Sequence, residues 1–215
     1  MATLNLQVAA SGGDSDMGSI ANDVGRSVTS SGIISLTRTI LSPGSHSNND
    51  EWTIAARFTG VTIPQGSTIN SAAFQMRANA TYNASPSVIR LYVSAQASDN
   101  AGALSSSSGD LNTTARPRST ASATVVQTSI TGGVWTSVTI TSVIQEIVNR
   151  AGWSSGNAIV ILVDTHEDTT VGEWQDYDAY DGSAAGAPKL DIDYGGASTA
   201  LVDMIDSSGV IPFAR

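Results

Sequence analysis

Trp135-Thr-Ser-Val-Thr-Ile-Thr-Ser-Val-Ile-Gln-Glu-Ile-Val-Asn-Arg-Ala-Gly-Trp153 decides the fold, together with Ala158-Ile-Val-Ile-Leu-Val163 and Pro188-Lys-Leu-Asp-Ile-Asp-Tyr194 downstream. Val134, Thr136, Val138 and Ile140 alternate with polar neighbours, which predicts a half-buried strand. The strand runs into a short helix. Ser142 and Gln145 have the spacing of a capping box, and Val143, Ile144, Ile147 and Val148 make one apolar face. Gly152 is expected to stop the helix in a left-handed conformation, with Trp153 folding back onto it. Ala158 to Val163 reads as a strand apolar on both faces. Leu190, Ile192 and Tyr194 form a one-sided strand whose alternate residues are Lys189, Asp191 and Asp193. One short helix in an otherwise β-rich chain predicts a jelly-roll-like sandwich with the helix plugging an open end.

Working outward, the same alternation recurs. It appears at Leu4, Leu6, Val8; at Trp52, Ile54, Ala56, Phe58; at Ala72, Phe74, Met76, Ala78; and at Ile89, Leu91, Val93, Ala95. Gly32 to Leu41 and Ala121 to Ile130 are further strand-like stretches. Gly12 to Asp23 reads as an acidic loop, residues 42–50 as a long turn, and residues 98–119, with Ser105 to Ser108, as a surface loop. Eight to ten short strands with frequent turns have the density of a sandwich. The expected fold is all-β: a jelly-roll-like β-sandwich over 1–194 with one short α-helix, followed by a C-terminal arm over 195–215.

This order of elements resembles the DNRLRE-type β-sandwich, a carbohydrate-binding-module-like domain of bacterial surface proteins and phage virion proteins. The residues that carry the resemblance are Trp52-Thr-Ile-Ala-Ala-Arg-Phe58, Ile63-Pro-Gln-Gly-Ser-Thr-Ile-Asn-Ser-Ala72, Trp135 with the helix to Val148, and Pro188 to Tyr194. Before Pro188 the familiar members carry a Ser-Arg-Glu run. Here Asp176-Tyr-Asp-Ala-Tyr-Asp-Gly182 stands in its place, so no role is carried over from that run.

Composition narrows the function. The chain has 215 residues, 40% hydrophobic and only 13% charged, with a net charge of −9 and a pI near 4.4. Ser and Thr fill the charge deficit at about a quarter of the chain, which suits pleated strands and contact surfaces. Lys189 is the only lysine and the arginines are scattered, so there is no basic patch for nucleic acid. No apolar run is long enough to span a bilayer. Met1 to Val8 has neither a basic n-region nor an apolar h-region, which predicts synthesis without a secretory signal.

Catalytic motifs are sparse. There is no cysteine and no nucleophile elbow. His46 sits in a polar turn. His166 lies among acids in Asp164-Thr-His-Glu-Asp168, a pattern that surface pairs share with metal or general-base sites. Glu173 and Asp176 have the residue types of a glycosidase pair, but loop acids in an acidic chain are more often solvated charge. The expectation is a non-enzyme. Asp176, Asp178 and Asp181 with Gly182 are the calcium candidate, against the reading of Asp as a turn former; no other cofactor is implied. Trp174, Tyr177 and Tyr180 lie in the same polar loop, with the residue types of a stacking surface for a sugar or a neighbouring subunit. Leu201, Met204, Ile205, Val210, Ile211 and Phe213 make the arm apolar, as a segment that binds a partner would be.

With the resemblance, these features imply a non-enzymatic bacteriophage virion structural protein. It would be a capsid decoration or cement protein bridging neighbouring subunits, with the major capsid protein or other virion subunits as partners and a tendency to homo-oligomerise. The alternative is a carbohydrate-binding module of a surface or tail protein, assisted by calcium.

Overall fold

The alternating apolar positions become the inward faces of two antiparallel sheets. The computed structural model describes residues 1–18, 32–45, 51–79, 88–128, 130–169 and 171–197. Its strands are β1 (Ala2–Gln7), β2 (Asp14–Gly18), β3 (Ile33–Ser35), β4 (Ile40–Leu41), β5 (Gly44–Ser45), β6 (Glu51–Phe58), β7 (Ser67–Arg77), β8 (Ile89–Ala95), β9 (Ala123–Gln127), β10 (Trp135–Thr139), β11 (Ile159–Thr165), β12 (Tyr177–Asp178) and β13 (Lys189–Ala197). Among the described residues there is one α-helix, α1, which spans Thr141–Val148. One sheet has the order β1-β13-β7-β10; the other has the order β3-β2-β6-β11-β8-β9, with β5 also on β6; β4 and β12 form a two-stranded ribbon. The fold is an all-β sandwich, as the periodicity predicts. Among the described residues no helix is long and apolar enough to cross a membrane.

The main core lies between the sheets. Ile54, Ala56, Phe58, Leu91, Val93, Ile161 and Val163 face Ala72, Phe74, Met76, Val138, Leu190 and Ile192, all buried. Phe58 and Phe74 meet edge to face across the layers, centroids 6.3 Å apart, a favoured aromatic geometry. Helix α1 adds Val143, Ile144, Ile147 and Val148 to the same core. Trp153 is buried and donates its indole N–H to the Ile63 carbonyl at 2.9 Å.

The helix start differs from the capping box. Ile140 is the N-cap and supplies no side-chain hydrogen bond. Thr141 Oγ1 instead accepts from the Ala72 N–H, and Gln145 accepts from the Ile69 N–H while donating to the Ser67 carbonyl. Both polar side chains therefore serve the backbone of β7, and Gln145 also donates to Asn149 Oδ1 at 2.9 Å. Gly152 is not left-handed either: any β-carbon there would collide with the Asp99 carboxylate, which pairs with Arg150 at 2.6 Å. Glycine here leaves room for the Asp99 side chain to approach closely, and its dihedral freedom is not used.

Three further expectations change. Asp14 to Gly18, read as loop, forms β2 and pairs with both β3 and β6. The last strand of the sandwich does not end at residue 194: β13 continues to Ala197 through a shift in register against β7. Residues 98–119, read as a loose surface loop, cover the outer face of the larger sheet. Ala101, Leu104 and Leu111 pack there on Ile34, Ala55, Val160 and Leu162 as a second apolar core. That explains why β11 is apolar on both faces: each face has its own core.

Two arginines hold this cover down. Arg116 contacts Asp110, Gln96 and the carbonyls of Gly102 and Ala103. Arg118 forks onto Asp164 at 2.9 and 2.7 Å and also donates to the carbonyls of Leu111 and Arg116. Their many backbone contacts let a loop rich in Ser and Thr keep one conformation, because buried carbonyls need donors.

Candidate functional site

The polar loop between β11 and β13 holds most of the candidate residues, and the structure fastens it at many points. β12 pairs with β4, aligning Tyr177 with Leu41 and Asp178 with Ile40. Trp174 bridges to Gly44, which takes φ of +132°. A side chain on Gly182 would strike the Thr39 carbonyl, and one on Gly186 would strike Asp178. The loop can therefore lie flat against its neighbours only with glycine at these positions.

Tyr177 corrects the stacking-surface reading. It is fully buried, and its hydroxyl donates to Gln127 Oε1 at 2.5 Å. Burial pushes its phenol well above the ordinary value, so it stays neutral. A side chain inside the core stacks on neither a sugar nor a subunit. Tyr180 is half-buried against the main core, and Trp174 is half-buried beside β5. Tyr177 is therefore not available to a stacking surface, while Trp174 and Tyr180 each keep part of their surface exposed.

The aspartates are dispersed. Asp176 accepts from Ser42 Oγ at 2.6 Å. Asp178 is buried, paired with Arg77 at 2.5 Å and accepting from Asn79 at 2.7 Å. Asp181 is exposed and accepts from Ser11 Oγ at 3.0 Å. Among the described residues no three His, Asp or Glu side chains gather in a metal-binding group. Each carboxylate ties the loop to a different strand or turn. Asp14 joins them from β2: it is buried, accepts from the Tyr180 N–H at 2.8 Å and feels Asp181. Burial, more than that neighbour, lifts its pKa from the ordinary 3.8 to about 6.

His166 stacks on Tyr92 with centroids 4.3 Å apart, and Glu167 and Asp168 lie 3.6 and 3.9 Å from its Nδ1. Tyr92 in turn donates to Glu167 at 3.1 Å. His166 Nδ1 also accepts from the Asp168 N–H at 3.0 Å, which ties the ring to its own turn. Trp52, expected in the core, is half-buried with Arg38 over its ring at 4.7 Å. Trp135 lies on the outer face of the smaller sheet under Lys189, whose Nζ is 4.1 Å from the ring centroid. His46 and the arm residues Leu201, Met204, Ile205, Val210, Ile211 and Phe213 lie outside the described residues.

A feature the sequence reading missed is the seam between the sheets. β9 ends the larger sheet and β10 ends the smaller one. Among the described residues the two edges lie side by side without backbone pairing to each other, bridged by Gln127 Nε2 to Thr136 Oγ1 at 2.8 Å. Recesses of about 390 and 350 Å³ flank this bridge. Their lining includes Val126, Ile130, Val134 and Thr139 and contains no charged residue. Val126 and Val134 are 58% and 50% exposed. The available signal was Val126, which falls on the outward beat of its strand.

No family model matches the chain, and no curated protein matches it.

Proposed function

We propose that the protein is a non-enzymatic structural component of a bacteriophage particle, most specifically a capsid decoration protein that bridges neighbouring subunits. The observation that carries this reading is the uncharged seam between β9 and β10 in a chain of net charge −9. Charged side chains are depleted from interface cores, and unpaired strand edges recruit partners. The hydroxyl-rich, charge-poor composition and the apolar arm support the same role. So does the fastening of the loops, since a rigid surface loses little entropy on docking. The major capsid protein and further copies of this chain are the partners this reading names.

The test is to raise antibodies against the purified chain and apply them to intact particles banded on a density gradient. Labelling of the outer shell at regular positions is the expected result. A chain recovered only in the free fraction, never with particles, overturns the proposal. A glycan array, with and without calcium, accompanies it; specific binding there would favour the carbohydrate-binding alternative.

A further inference from the structure

We infer that two copies of the chain join through the outer edge of β1, Ala2–Gln7, running antiparallel about a two-fold axis at Asn5. The inference rests on the reading that further copies of this chain are among its partners, and it names the surface and the register.

The edge is open to extension. Among the described residues β1 ends the smaller sheet and pairs with β13 alone. The register runs without a shift from Ala2 opposite Tyr194 to Gln7 opposite Lys189. Sheet edges are ordinarily guarded by lysine, proline or a bulge, and β1 has none of them. It is also uncharged, in a chain of net charge −9. Lys189, Asp191 and Asp193 lie one strand back, on β13, so no like charges meet directly across the joint.

The strand is complementary to itself. The Val8 N–H donates to the Pro188 carbonyl at 3.0 Å, one step beyond the pairing of Gln7 with Lys189. Even-numbered residues therefore turn their backbone groups toward β13, and Thr3, Asn5 and Gln7 turn theirs outward. The antiparallel register that sets Asn5 against its own copy also sets Thr3 against Gln7. Each of these pairs can exchange both of its backbone hydrogen bonds. The faces agree as well. Leu4 and Leu6 are half-buried against the main core, and the same register sets Leu4 against Leu6 of the second copy. A slip of one residue would set leucine against asparagine and lose the outward-facing groups. A slip of two, centred on Leu4, would leave Gln7 opposite Met1, outside the strand. A symmetric joint of this kind closes after two copies. An edge joint is small beside the roughly 1,200 Å² of a standard interface, so the dimer is expected to form and dissociate with concentration. Copies held side by side on a shell would meet at a high effective concentration.

The absence of cysteine lets disulfides read the register. Hydrogen-bonded antiparallel partners have Cα atoms about 5.5 Å apart, inside the disulfide range of about 4.4–6.8 Å. Asn5→Cys in the full chain is expected to give a covalent dimer under mild oxidation. Thr3→Cys is the control: the two copies of Thr3 stand four residues apart along the joint, about 13 Å. Both positions are exposed, so neither change disturbs the core. Sedimentation velocity of the parent should show a dimer that grows with concentration. Asn5→Lys sets two like charges face to face and should weaken that dimer roughly tenfold or more. Asn5→Pro should weaken it by a second route, removing an N–H that β13 does not use. Urea midpoints near that of the parent would show that both variants fold. A parent that stays monomeric, a dimer equally tight in both variants, or Thr3→Cys crosslinking as readily as Asn5→Cys overturns the inference. Labelled particles with a monomeric free chain would refute this joint alone. A β1 dimer never found with particles would refute the particle reading alone.

Discussion

Arg118 meets Asp164 in a two-point fork, Nε to Oδ2 at 2.9 Å and Nη2 to Oδ1 at 2.7 Å, with both side chains buried. Asp164 also accepts from Thr53 Oγ1 at 3.0 Å. The pair links the loop over the larger sheet to β11 and β6 at its centre. Asp164→Ala would leave the guanidinium buried without its counter-charge. The expected loss is about 3–5 kcal/mol in urea unfolding. Arg118→Met should cost less than Arg118→Ala, because the methionine keeps part of the packing over the second core.

This pair also shows where the sequence stops being legible. The alternating strands and the helix face could be read directly, because period two and period 3.6 are local properties. Residues 98–119 have neither period. What orders them is Arg118 reaching Asp164 and Arg116 reaching Gln96 and Asp110, contacts set by the fold rather than by spacing. The aromatic loop failed for a related reason. Tyr177 sits among acids in sequence, yet its ring points into the core while Asp178 turns to Arg77. A two-residue strand such as β12 is too short to reveal which side faces inward. The seam required knowing that β9 and β10 end different sheets, which no stretch of residues records.

The helix offers a prediction that separates packing from polar fastening. Ile147 is buried at the end of the sandwich, so Ile147→Ala should cost about 2–5 kcal/mol. Gln145 and Glu146 lie off the apolar face in sequence, where changes are expected to cost little in packing. The structure gives both partners: Gln145 on Ile69 and Ser67, Glu146 on the N–H groups of Thr120 and Ala121. Gln145→Ala is therefore expected to cost about 1–2 kcal/mol, measured by the shift in urea midpoint. A midpoint identical to the parent would mean water replaces both contacts without loss.

Tyr177→Phe tests the loop. The substitution keeps the ring in the core and deletes only the hydroxyl that meets Gln127. Gln127 would retain its bond to Thr136 but lose a partner at Oε1. A loss of about 1–2 kcal/mol is expected, with no change in oligomeric state by sedimentation velocity. Altered assembly at unchanged stability would show instead that Tyr177 takes part in an interface.

Asp14 gives a prediction in pH. Its carboxyl is buried and its pKa is raised from 3.8 to about 6. Between those values the folded chain holds a proton that the unfolded chain has released. Stability from this group is therefore full below pH 4, falls as pH rises through 6, and stays low above it. Asp14→Asn removes the titration while keeping an oxygen to accept from Tyr180. Relative to the parent, the variant should gain about 1–3 kcal/mol between pH 4 and pH 7. The comparison cancels the other carboxylates, which titrate in both proteins. Urea midpoints at pH 4, 5, 6 and 7 measure the gap. A gap that is flat with pH, or one that narrows toward pH 7, would contradict the burial of an ionised Asp14 beside Tyr180.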